Sequence, residues 1–132
     1  MYGMKEICEK ANLNYTTLKF YCNEGLIPNV KRDKNNRRIF DDDNLHWIKN
    51  LHCLRNCDLS IAEMKKYIAL CLEGDSTIPE RKILLKQKQA DLRNKIAALN
   101  DAVAYIDWKQ NFYDSILSGE TEPVDYFTAT GK

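Results

Sequence analysis

The sequence predicts an all-α fold with one small β wing: a winged helix-turn-helix lobe followed by a long coiled-coil helix. Three observations carry this reading. Two short amphipathic segments, 3–11 and 14–23, are separated only by Asn12 and Leu13. A polar turn, Asp33-Lys34-Asn35-Asn36, sits between two short stretches suited to strands. Between Pro79 and Gly119 no glycine or proline interrupts the chain, and apolar residues recur there on steps of four and three.

The first helix places Met4, Ile7, Cys8 and Ala11 on one face with charged residues between them. Asn14 is a suitable N-cap for the second, whose Leu18, Tyr21 and Cys22 fall at i, i+3 and i+4 before Glu24-Gly25 stops it. Two short helices joined this tightly form a helix-turn-helix pattern. Leu26-Ile27-Pro28 leads out of it, and VKRDKNNRRIF folds back on itself as the wing. Asp41, Asp42 and Asp43 open a third helix at its positive dipole end, and Leu45, Trp47, Ile48, Leu51 and Leu54 give it an apolar face. That helix is expected to end near Asp58. Ser60 and Glu63 make a capping box for a fourth, which Gly74 ends.

The last helix carries Leu92, Ile96, Leu99, Val103, Ile106, Tyr113 and Leu117 as a seam, with Gln110 as one polar layer. A helix of about forty residues spans roughly 60 Å, so its seam needs a partner, and a second copy of the chain is the natural one. The organisation expected is therefore a winged lobe over 1–74, a dimerising helix over 75–118 and a short tail over 119–132, which is either loose or docks Tyr126 and Phe127 on the body.

With 44% hydrophobic and 30% charged residues the chain belongs with folded proteins rather than disordered ones. Its apolar runs are only a few residues long, which predicts neither a membrane span nor a signal peptide. Five cysteines without disulfide-framework spacing suit a reducing cytoplasm. Net charge is only +1, yet its distribution is uneven. Lys31, Arg32, Lys34, Arg37 and Arg38 crowd into the wing, too densely for a short hairpin to bury, so they face outward, where phosphate is the obvious partner.

In a helix-turn-helix the second helix presents its N-terminal side chains to base edges, here Tyr15, Thr16, Lys19 and Phe20, while Thr17 caps or touches phosphate. An enzyme would need acids, bases or nucleophiles gathered around a pocket, and the only histidines, His46 and His52, lie in one helix without a Gly-rich or metal-ligand motif. No cofactor is expected. The alternative of a different class is a coiled-coil adaptor whose winged lobe binds protein.

Leu18-Lys19-Phe20-Tyr21, Gly25-Leu26-Ile27-Pro28, Asn35-Asn36-Arg37-Arg38-Ile39-Phe40 and Asp41-Asp42-Asp43, in this order and spacing, resemble the MerR-type (mercury-resistance-type) regulators. The resemblance extends to about Ser118 and is strongest over the first seventy residues. It departs at Lys19, where the family usually has arginine, and at Asn36, where the wing turn usually has glycine. It implies a homodimer paired through an antiparallel coiled coil, Tyr21 as a further DNA-facing residue, and Arg38 as the leading wing contact. It also implies a mechanism: the dimer sits on an overlong promoter spacer and distorts it, so that RNA polymerase, acting through the promoter, can use both promoter elements.

Large-molecule sensors of that family carry a further C-terminal domain, for which no length remains here. Its metal sensors place cysteines at and after the start of the dimer helix, whereas Cys71 is the last cysteine in this chain. Cys53 and Cys57 lie about 40° apart on the third helix, off its core face, with His46 between them in angle. Cys53 resembles the reactive cysteine of the thiol-based, aldehyde-responsive branch, which implies a switch operated by electrophiles or oxidants. Cys57 is the second choice, and a metal-responsive site built from His46, Cys53 and Cys57 is the rival reading. Cys8 and Cys22 fit the apolar faces of their helices and read as structural.

Overall fold

A computed structural model describes residues 1–122; the tail with Tyr126 and Phe127, read as loose or docked, lies outside the described residues. The elements are α1 (Met4–Ala11), α2 (Tyr15–Asn23), β1 (Lys31–Arg32), β2 (Arg38–Ile39), α3 (Asp42–Asn56), α4 (Ile61–Glu73), a single 3₁₀ turn (Asp75–Thr77) and α5 (Ile78–Leu117). Each helix begins where its local chemistry directs. The Asn14 side chain accepts from the backbone N–H of Thr17 at 2.8 Å, taking one of the donors that every helix start leaves unpaired. Ser60 and Glu63 cap α4 reciprocally, at 3.1 and 2.8 Å. Asp41 precedes α3 as its N-cap and exchanges bonds with Asn44 at 2.8 and 3.0 Å. The Asn44 amide also donates to the carbonyl of Pro28 at 3.1 Å, which joins the start of α3 to the loop leading into the wing.

The chain divides into two compact units, Met1–Leu85 and the segment from Lys86 onward. In the first, Ile7, Leu18, Tyr21, Leu26, Phe40, Ile48 and Met64 are fully buried in one core. The wing is a two-stranded antiparallel hairpin pairing Lys31 with Ile39 and Arg32 with Arg38. Tyr2 extends it by exchanging backbone bonds with Phe40 at 2.7 and 2.8 Å. The Trp47 indole donates to the carbonyl of Leu26 at 2.9 Å and so ties α3 to the chain just after α2.

This lobe continues past residue 74, where the sequence places its border, and takes in the start of α5. The reason is a set of side-chain bonds to backbone that spacing does not reveal. Thr77 Oγ1 donates to the carbonyl of Leu70 at 2.6 Å, and the Arg81 guanidinium reaches the carbonyl of Gly74 at 2.7 Å and Thr77 Oγ1 at 2.9 Å. A cation on the carbonyl of the residue that caps α4 also suits the negative end of that helix.

Among the described residues, the second unit is the remainder of α5 with a short turn. None of the 40 residues of α5 is buried. Ile96, Leu99, Val103 and Ile106 of the seam are all more than half exposed, and Leu117 is 84% exposed. Around the helix from this seam a second group appears: Trp108 stacks on Phe112 at 5.6 Å, and Tyr105 lies 6.1 Å from Trp108.

Candidate nucleic-acid interface

The outward face of α2 carries the side chains the sequence assigns to it. Tyr15 and Phe20 are exposed although large and apolar, at 56% and 42%. Thr16 and Lys19 are exposed beside them, and Thr17 is half-buried. Tyr21 does not belong to this face. Its side chain is only 1% exposed, and its hydroxyl lies 2.9 Å from His52 Nδ1 on α3. The correction follows from helix geometry, since a residue three positions after Leu18 shares its inner face. Burial pushes the Tyr21 phenol above its ordinary pKa, and the charge of Arg55 opposes the shift.

The wing turn is held by Asp33, whose carboxylate accepts from the backbone N–H groups of Asn35 and Arg37 at 2.9 and 3.0 Å. Asn36 takes a left-handed backbone with φ of 61°, which asparagine tolerates better than most residues other than glycine. Arg32 donates to the carbonyl of Asn36 at 2.9 Å, bracing the turn from within. Lys31, Lys34 and Arg37 remain exposed. Arg38 is half-buried and donates to Asn23 Oδ1 at 2.9 Å, tying the wing to the last residue of α2. The two expected contact elements are thereby connected.

Between the start of α1, Tyr15 and the wing lies an open cleft of about 780 Å³, bordered by Lys5, Arg32, Arg37 and Arg38 with Glu6 and Asp33. Cations predominate around it, as an anionic ligand requires. Lys5 and Asn23 are absent from the sequence-derived set. A lysine at a helix start and an asparagine at a helix end are common residues, and nothing local in the chain marks them.

The thiols occupy another part of the lobe. Cys53 and Cys57 are exposed on α3 and at its C-cap, as their angular position predicts. They line an apolar groove of about 360 Å³ with Trp47, Leu54, Tyr67 and Ile68. A third thiol, Cys71 of α4, borders the same groove and was not identified from sequence, because only the packing of α4 on α3 brings it there. Burial raises the Tyr67 phenol beside Cys71. The rival metal set is not assembled among the described residues. Among the described residues no group of three or more His, Cys, Asp or Glu side chains is placed to hold a metal ion. His46 stands seven residues, or about 10 Å of helix rise, from Cys53 and does not line the groove. Cys8 and Cys22 pack against the core, and burial raises both thiols.

Comparison with known proteins gives two family matches. The model described as MerR HTH family regulatory protein covers residues 2–71, and that described as MerR, DNA binding covers residues 45–108. An uncharacterized HTH-type transcriptional regulator of Haemophilus influenzae is 35% identical over 112 residues, which make up 85% of this chain and 83% of that protein. The HTH-type transcriptional regulator AdhR of Bacillus subtilis is 34% identical over 90 residues, 68% of this chain and 64% of its own length. Among solved structures, HiNmlR, described as a MerR family regulator lacking the sensor domain and bound to promoter DNA, superposes with a TM-score of 0.72 at 32% identity, covering 91% of each chain.

Proposed function

The chain belongs to the MerR family of helix-turn-helix transcriptional regulators, and on that premise we propose that it acts as a homodimer that binds double-stranded promoter DNA and distorts it. The observation that carries this reading is the bond between Arg38 and Asn23, which makes one continuous surface of the exposed α2 face and the cationic wing. Tyr15, Thr16, Lys19 and Phe20 are assigned to base edges. Lys31, Arg32, Arg37 and Arg38 are assigned to phosphate, where they fix the register of the protein on the duplex. Lys19 brings charge without the planar fork of arginine, so its base contact is single and not bidentate. RNA polymerase is reached indirectly, through the altered promoter. Among the described residues no helix is long and apolar enough to cross a membrane.

Binding is tested by titrating the protein against promoter DNA and unrelated duplex DNA at several salt concentrations. Each phosphate contact adds about 0.9 to the slope of log affinity against log salt. Arg37→Ala is expected to lower that slope by about one and to weaken all sequences alike. Affinity independent of salt would favour the adaptor reading instead.

Cys53 is the thiol we assign to signal reception, because it is exposed, it borders a groove, and it neighbours His52, whose ring contacts the buried face of α2 through Tyr21. Electrophile or oxidant modification there acts one residue from a bond that holds the recognition helix. Cys53→Ser is expected to abolish the aldehyde response of a promoter reporter while leaving basal DNA affinity in place. A response that survives the substitution removes Cys53 from the mechanism.

A further inference from the structure

Three of the chain's five cysteines border one cavity, and two of them share one helical face. Cys53 and Cys57 are four residues apart, a spacing that puts Cβ atoms about 5–6 Å from each other on a helix. A disulfide needs them at about 3.5–4.5 Å, so the pair does not close on itself, and both thiols are free. A single thiophilic atom between the two sulfurs spans the gap that a direct bond cannot. The third thiol is placed differently. Cys71 sits on the facing helix α4 and is half-buried, whereas Cys53 and Cys57 are exposed. Three-ligand metal coordination is not available among the described residues, which leaves ligands that need two sulfurs and no third donor.

The groove supplies what such a ligand needs besides sulfur. Its volume of about 360 Å³ falls within the range of small-molecule sites, about 300–1,000 Å³. The Trp47, Leu54 and Ile68 side chains give it an apolar wall next to the thiols, where an aromatic or alkyl group loses contact with water.

We propose that the α3–α4 groove is a dithiol site for monosubstituted trivalent arsenicals, R–As(OH)₂, in which Cys53 and Cys57 supply the sulfurs and the apolar wall takes R. Two As–O bonds break and two As–S bonds form. Each thiol proton leaves with a hydroxide as water, and arsenic stays trivalent, so no oxidant or reductant is required. The bridge staples the last turn of α3 to its C-cap, just before the residues that lead into α4. That this staple changes promoter binding rests on the reading of the groove as the signal-receiving site; the binding chemistry does not.

The test is intact-mass measurement of the full chain with one equivalent of phenylarsine oxide, followed by challenge with a monothiol and then a dithiol. Wild type and Cys71→Ser are expected to take one phenylarsenic unit that resists the monothiol and is released by the dithiol. Cys53→Ser, Cys53→Ala and Cys57→Ser are each expected to hold it about 100-fold or more weakly, the effective-concentration advantage of a second tethered thiol. Inorganic arsenite is expected to bind less tightly than the phenyl compound. The proposal is overturned if the double variant Cys53→Ser/Cys57→Ser keeps the adduct, if Cys71→Ser loses it, or if arsenite binds as tightly. The same samples titrated against promoter DNA separate the two readings: a bridged protein with unchanged DNA affinity retains the site and removes its regulatory role.

Discussion

The lobe and the long helix solve the same problem in opposite ways. In Met1–Leu85 the apolar faces of α1 to α4 close on one another, burying Ile7, Leu18, Leu26, Phe40, Ile48 and Met64, and α2, α3 and α4 begin on side-chain caps. Along α5 no residue is buried, while Ile96, Leu99, Val103 and Ile106 stand more than half exposed on one stripe. An exposed run of that kind is tolerated on a soluble helix only when another surface covers it. The lobe therefore carries its own core, and the stripe on the helix calls for a covering surface. On the proposed reading the labour divides: the self-sufficient part presents the DNA-facing surface, and the dependent part is where two copies meet.

The sharpest way to break this comparison is a charge in the seam. Leu99→Asp removes the burial of one leucine from each copy, worth about 1.5–3 kcal/mol apiece, so dimer dissociation should rise by more than about 100-fold. Sedimentation at graded concentrations measures it. The lobe is expected to keep its native Trp47 environment in this variant, since Trp47 bonds within the lobe; a lobe that unfolds with the dimer would end the claim of self-sufficiency. The converse change is Phe40→Ala in the lobe. Phe40 is fully buried where Tyr2, the wing and the core meet. Its loss is expected to cost about 3–5 kcal/mol, read as a drop in thermal midpoint, with DNA affinity falling because the wing loses its anchor.

The same contrast explains what was legible in the chain. Local chemistry was: Asn14 and the Ser60–Glu63 pair cap the helices they precede, and Asn36 bends the wing as its tolerance of positive φ allows. The long helix was legible because a helix repeats its pattern regularly over many turns. What spacing did not reveal depends on contacts between distant residues. Arg38 meets Asn23 across fifteen positions, Cys71 joins the thiol groove only through the packing of α4, and Thr77 with Arg81 binds the start of α5 to the end of α4. Tyr21 is the instructive case. Its i, i+3 spacing from Leu18 marks an inner residue, whereas the motif it belongs to suggested an outer one, and the spacing proved the better guide.

Tyr21 also supplies the smallest test, and it bears on how the closed lobe holds its recognition helix. Its hydroxyl pairs with His52 Nδ1 at 2.9 Å, a bond worth about 0.5–1.5 kcal/mol net. Tyr21→Phe is expected to cost about that much in chemical denaturation, with the ring still filling its place in the core. Because burial raises the phenol above its ordinary value of 10.0, the unfolded chain ionises first as pH rises. The native state then loses stability above pH 10, up to the folded value, and keeps all of it below. In Tyr21→Phe this alkaline loss should shrink, while Leu99→Asp should leave it unchanged in the lobe. An alkaline limb of equal depth in wild type and Tyr21→Phe would mean that another group in the lobe dominates the titration.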